Sequence, residues 1–314
     1  MSELILGDAN FNLIEACATI ILLGKRRRGK TTWAKLITQY LSKTIDRFVS
    51  ISGNKDNQAE WGKVIAPLYT WLLKTDMSAL KNLIKYQDTK VSPYTNQDLP
   101  VPRKYKLGLI IDDCGSNTSF MNSSLMQDIM ANGRHYGITV IIPLQYFYQL
   151  LPKNREQIDY VGMLHTRNVK NIKKVYDEMI NMMTLAHFKH VLEACTASRG
   201  LCWIDNTGTP DKFEDFIYYR RFPYWPYKFE TVGSGHVREF HQKHYLTPTI
   251  KNHPRAHGNK PSMFPVEDAD TESSDDDSVV DMHEHLLTNR RHFTDQKTGS
   301  TFTVRMRPTK DKED

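Results

Sequence analysis

Eight consecutive residues, Gly24-Lys25-Arg26-Arg27-Arg28-Gly29-Lys30-Thr31, satisfy the pattern GxxxxGK[ST] without a mismatch. Each position has a physical reason. Glycines let backbone N–H groups wrap phosphate oxygens, and a helix starting at Lys30 adds a positive dipole end. Lys30 reaches β- and γ-phosphates, Thr31 offers a hydroxyl to Mg²⁺, and Thr32 follows in the first helical turn. The whole stretch from Gly24 to Thr32 is therefore a candidate ATP-binding loop. Lys25, Arg26, Arg27 and Arg28 fill its variable part, and their charge suits DNA, a neighbouring subunit or, as the plainest reading, solvent alone.

Two further patterns bear on the same chemistry. Leu107-Gly108-Leu109-Ile110-Ile111-Asp112-Asp113 is an apolar strand ending in two carboxylates. Asp112 suits a Mg²⁺ position and Asp113, one residue on, suits an attacking water. An ordinary turn made of two aspartates is the alternative, and it would be preferred without the phosphate loop; with that loop present the functional reading is favoured. The third pattern is Asn132-Gly133-Arg134-His135-Tyr136-Gly137, followed by the apolar run Thr139 to Leu144 and then Gln145. Taken singly, Arg134 reads as a surface residue and Gln145 as a turn residue.

These residues need elements to position them. Ala18 to Leu23 reads as a strand and the segment from Lys30 as a helix, with Ala34, Ile37 and Leu41 on one face. Further strands are predicted at Arg47–Ile51, Leu107–Ile111, Thr139–Leu144, Tyr160–Leu164 and Gly200–Ile204, with an aromatic-rich extended segment at Phe213–Arg220. Helices are predicted around Gln58–Leu73, Ser78–Tyr86, Ser124–Ala131, Val169–Ile180 and Leu185–Ala194, and a proline-rich loop at Ser92–Pro102. Buried apolar runs alternating with helical patterns predict an α/β fold, a mainly parallel central sheet flanked by helices. Pro143 removes a ladder donor inside one predicted strand, so a bulge or early strand end is expected there.

The chain of 314 residues is 39% hydrophobic, enough for a core, and has no apolar run approaching a membrane span, so no membrane insertion is expected. Cys17, Cys114, Cys195 and Cys202 show no CxxC pair, which argues for reduced thiols over a disulfide framework or zinc ribbon. Net charge is +6, but nine acidic residues and no Lys or Arg lie between Glu267 and Glu284, so the rest of the chain is distinctly basic. That suits nucleic acid, or simply solubility. Residues 1–225 read as one globular domain and 226–314 as a disordered tail carrying the acidic segment. His236, His241, His244, His253 and His257 cluster near its start, read as polar filler in preference to half a metal site.

In combination, the phosphate loop, LIIDD, GRHYGI and Gln145 resemble the DNA-packaging ATPases of large double-stranded DNA viruses, the poxvirus-like branch of the FtsK/HerA P-loop superfamily, over roughly Ile20 to Arg220. The resemblance implies a P-loop NTPase fold and an oligomeric ring that hydrolyses ATP, with Mg²⁺, to translocate double-stranded DNA into a capsid. It implies capsid or portal-vertex components as partners, and a location inside the host cell and in the virion. It gives Lys30, Asp113, Gln145 and Arg134 catalytic roles, with Thr31 and Asp112 at the metal, and puts the strand bearing Gln145 between the phosphate-loop strand and the acidic strand. Asp113 departs from the superfamily's usual Glu by one methylene. The competing readings are a small-molecule or nucleoside kinase and a non-catalytic, nucleotide-gated virion assembly scaffold.

Overall fold

The computed structural model describes residues 2–180, 182–223 and 226–245, and two further strands at 290–294 and 301–306. In chain order the elements begin β1 (Ser2–Asp8), β2 (Thr19–Leu23), α1 (Lys30–Leu41), β3 (Arg47–Ser52), α2 (Lys55–Gly62), β4 (Thr70–Leu72) and α3 (Met77–Thr95). They continue with β5 (Leu107–Asp112), α4 (Thr118–Met121), α5 (Ser124–Asn132), β6 (Ile138–Leu144), α6 (Pro152–Arg155) and β7 (Tyr160–Met163). The rest are α7 (Val169–Met179), α8 (Leu185–Cys195), β8 (Leu201–Asp205), β9 (Ile217–Arg220), α9 (Gly235–Tyr245), β10 (Arg290–Thr294) and β11 (Thr301–Met306).

The described strands form one sheet in the order β10-β11-β1-β9-β8-β7-β2-β6-β5-β3-β4. From β7 to β4 every pairing is parallel. β8 runs antiparallel to β7 and β9, whereas β1 is parallel to both β9 and β11. The central strands are apolar on both faces because both are covered. Every residue of β2 is buried: Ile21 and Leu23 join the layer formed with α3, α5, α7 and α8, and Ile20 and Leu22 join the opposite layer, with α1 and Trp61. The predicted face of α1 is buried as expected, with Trp33 and Leu36 beside Ala34, Ile37 and Leu41.

Pro143 sits inside β6 and causes no bulge. The N–H of Val140 donates to the carbonyl of Ala18, just ahead of β2, so by alternation position 143 faces β5. On that side the register ends at Ile110↔Ile141, while pairing with β2 continues through Leu144. The missing donor therefore falls where no ladder bond is made.

Several boundaries differ from the sequence reading. The span 58–73 is not one helix: α2 ends at Gly62, Pro67 opens a 3-10 turn, and Thr70–Leu72 become the edge strand β4. The proline-rich loop starts later than expected, because α3 continues through Pro93 to Thr95. Two wholly buried residues, Gln87 and Val91, hold this last part of the helix down. Gln87 accepts from Arg47 Nη2 (2.8 Å) and donates to the carbonyls of Tyr105 (2.9 Å) and Tyr136 (3.0 Å). β1 has no counterpart in the sequence reading, and in 213–220 only Ile217–Arg220 is strand, after a 3-10 turn. Within the span read as tail, α9 packs His241 into a buried position, and β10–β11 form a hairpin on β1. The acidic segment 267–284, His253 and His257 lie outside the described residues.

Replacing Gln87 by Leu would strand the Tyr136 carbonyl and leave Arg47 Nη2 with the Tyr105 carbonyl (3.1 Å) alone. Gln87→Leu is expected to cost about 1–3 kcal/mol, read as a lower urea midpoint with an unchanged slope.

Candidate functional site

The site is built where β2, β5 and β6 end. Gly24 leaves β2 and its N–H donates to the Leu144 carbonyl (3.2 Å), which fixes the loop's first residue to the tip of β6. The loop then turns back with Arg27 at φ 62° and Gly29 at φ 86°. Gly29 is the residue before α1, and its left-handed backbone strongly favours glycine at this point of the loop. Lys30 Nζ lies across the loop and donates to the carbonyls of Gly24 (2.9 Å) and Lys25 (3.3 Å). Burial holds its ammonium below the usual lysine value, opposed by the carboxylates of Asp112 and Asp113.

Asp112 ends β5 and is 3% exposed. One of its oxygens, Oδ2, accepts from Thr31 Oγ1 (2.8 Å) and from Trp61 Nε1 (3.0 Å). Burial pushes this carboxyl up, and the two donors pull the other way. Asp113 follows in a left-handed conformation, φ 56°, and its Oδ2 accepts from Asn54 Nδ2. Its backbone presses on the turn after β3: a Cβ on Gly53 would stand 2.1 Å from the Asp113 carbonyl oxygen. Asn54 also caps α2, accepting from Asn57 N (2.9 Å).

A cavity of about 700 Å³ brings Arg26, Arg27, Gly29, Lys30, Thr31, Thr32, Asp112, Asp113 and Gln145 into one lining. Gly24 is buried and outside that lining, and Lys25 and Arg28 are exposed outside it. β6 does lie between β2 and β5, so Gln145 arrives between the phosphate loop and the acidic strand, as the sequence resemblance implies. Arg134 is not in this cleft. It is exposed just ahead of β6, where its charge acts on Asp159, whose carboxylate accepts from Thr19 N at the start of β2 (2.7 Å). A seven-residue strand puts it roughly 20 Å from the cleft of its own chain.

Among the residues at the site that had no place in the sequence reading, three matter most. Trp61 supplies the indole N–H to Asp112, Asn54 orients Asp113, and Gln149 lines the cleft. Only Asn54 left a trace, in the Ser-Gly-Asn run that closes β3. The Thr31 hydroxyl and Asp112 carboxylate are adjacent hard oxygen donors, a set that fits Mg²⁺ carried in with phosphate.

A phosphate loop opening α1, facing a carboxylate strand across an inserted strand, places the chain among the P-loop NTPases of α/β architecture. The match can be drawn more narrowly. This chain belongs to the Poxvirus A32 protein family, whose pattern it matches over residues 9–207. It is 24% identical over 247 residues to the uncharacterized protein 075L of Invertebrate iridescent virus 6, covering 78% of this chain and 92% of that one. It is also 24% identical over 205 residues to the uncharacterized protein 015R of Frog virus 3 (isolate Goorha), covering 65% of this chain and 62% of that relative's length. Among solved structures it is similar to the genome packaging NTPase B204 of Sulfolobus turreted icosahedral virus 2, in complex with AMPPCP. That similarity has 15% identity and a TM-score of 0.46, with 65% of this chain and 97% of the other covered. Among the described residues no helix is long and apolar enough to cross a membrane.

The buried carboxylate opposes folding in its charged form. Because the folded value of Asp112 is raised, stability falls as pH climbs from the usual 3.8 through that higher value, and the full penalty applies above it. Asp112→Asn keeps an oxygen for Thr31 and Trp61 without the charge. Its melting temperature at neutral pH is expected to exceed the parent's, by about 2–4 °C for each kcal/mol recovered, with the descending limb flattened in a pH series.

Proposed function

We propose that the protein is an ATP-hydrolysing ring motor that moves double-stranded DNA into a viral capsid. The observation that carries this reading is the inserted strand β6, which delivers Gln145 to the cleft shared by Lys30, Thr31, Asp112 and Asp113 while its other end is preceded by exposed Arg134. One strand thus joins a sensor position for this chain's own nucleotide to an arginine aimed at a different surface.

In this reading the loop amides from Gly24 to Thr32 and the side chain of Lys30 hold the ATP phosphates, Lys30 leaving the loop carbonyls it now caps. Thr31 and Asp112 hold Mg²⁺, which supplies neutralising charge to the phosphate oxygens. Asp113, fixed by Asn54 and by its left-handed backbone, accepts a proton from the attacking water. Gln145 orients that water against the terminal phosphate. Arg134 acts on the nucleotide of the neighbouring subunit, which its distance from its own cleft favours. Arg26 and Arg27 rim the cleft and Lys25 and Arg28 stand outside it, in reach of DNA or a neighbour. Capsid or portal-vertex components are the partners this function requires.

Purified protein is expected to hydrolyse ATP faster when double-stranded DNA is added. A response to a small-molecule acceptor instead would make it a kinase, and indifference to both would leave a nucleotide-gated scaffold. Lys30→Ala should lose turnover, whereas Asp113→Asn should bind ATP normally and hydrolyse it about 10²–10⁴ times more slowly.

The assignment of Arg134 is tested by mixing. Arg134→Ala subunits and Lys30→Ala subunits should each be inactive, Arg134→Ala by up to about 10³–10⁵-fold, and should regain partial turnover when assembled together. Absence of rescue in verified mixed rings removes Arg134 from the neighbour's site.

A further inference from the structure

Gln145 follows the last residue of β6, where the sheet no longer fixes the backbone, so something else must set its direction. Its carbonyl oxygen accepts from Asn171 Nδ2 at 2.9 Å. Two residues on, the N–H of Phe147 donates to Asn171 Oδ1 at 2.8 Å. A single amide side chain from α7 thus grips the segment on both sides of Tyr146. From below, Gln149 Oε1 accepts from the N–H groups of Gln145 (3.2 Å) and Tyr146 (3.0 Å). Asn171 itself is 1% exposed and shares its helix face with the buried Ile172 and Val175, so its position follows that of α7. A second tie joins the same two parts: Glu178 of α7 accepts from Arg155 Nε (2.7 Å), while Arg155 Nη1 donates to the Leu150 carbonyl (2.6 Å).

We propose that Asn171 is a positioning residue for Gln145, setting through the backbone the angle at which the Gln145 amide enters the phosphate cleft. The proposal rests on the catalytic reading of Gln145 given above and adds α7 to the machinery, although α7 contributes no side chain to the cleft lining. A buried asparagine that merely satisfies two backbone groups would stabilise the fold. One that aims Gln145 must also act on turnover, and only while Gln145 is present. Asn171→Asp tests the aiming bond: Oδ1 can still accept from Phe147, and at a pH where the new carboxyl is ionised the group facing the Gln145 carbonyl changes from donor to acceptor.

The experiment is a double-mutant cycle on the full chain, with ATP as the probe and DNA present, reading kcat and nucleotide dissociation constant separately. Asn171→Asp is expected to lower kcat by about tenfold or more, the effect of about 1.4 kcal/mol on a barrier, with the nucleotide dissociation constant unchanged within about twofold. In a Gln145→Ala background the same substitution should lower kcat no further, since the group it aims is gone. Asn171→Ala, which removes both bonds without adding charge, should repeat the pattern and serves if the aspartate variant does not fold. Losses that multiply in the double variant, or a fall in nucleotide affinity that matches the fall in kcat, overturn the proposal while leaving Gln145 in place. Parental turnover in Gln145→Ala overturns the reading of Gln145 and this inference with it.

Discussion

A single carboxylate oxygen, Asp112 Oδ2, ties together three elements that are distant in sequence. It takes a hydroxyl from the first turn of α1 and an indole N–H from α2 while standing at the end of β5. A carboxylate buried to 3% exposure is costly unless it is hydrogen-bonded, and both of its donors come from elements that also shape the cleft. The phosphate loop, the acidic strand and the turn after β3 therefore cannot be placed independently. Asp113 repeats the arrangement one residue later, with Asn54 as donor and Gly53 as the point of contact.

The far end of α1 is held as deliberately as its start. Arg220 on β9 donates to Asp8 on β1 (2.6 Å) and to Tyr40 near the end of α1 (2.9 Å). Phe11, just after β1, meets Trp33, Tyr40 and Trp203 edge-on. The extension of the sheet through β8, β9 and β1 thus serves as a buttress for the helix that opens at the phosphate loop. A helix anchored at both ends lets a charge placed at its first turn meet fixed dipoles.

The sequence was most readable where the signal is local. The phosphate loop, α1 with its buried stripe, and the apolar strands β2, β5 and β6 are each specified by a dozen residues or fewer, and their order in the sheet follows the family resemblance. Legibility fails where an element exists only because of a distant partner. β4 has three residues, too few for any period, and is a strand because β3 lies beside it. β1 depends on β9, more than two hundred residues away. Pro93 reads as a helix stop, and is overridden by Gln87 and Val91 beneath it. At the site the same division holds: Lys30, Asp112 and Gln145 carry motif signatures, whereas Trp61 reaches Asp112 across a fold that its own neighbours do not announce.

Pro143 has a consequence beyond strand geometry. An imino nitrogen can never donate, whatever the side chains around it do, so one donor towards β5 is missing just past Ile141, where the β5–β6 register ends. The tips that carry Asp112 and Gln145 therefore lack one of the ladder bonds that could draw them together, and that lack is covalent. Sheets tend to recruit one more pair at a frayed end, and beside the cleft that tendency is one donor short.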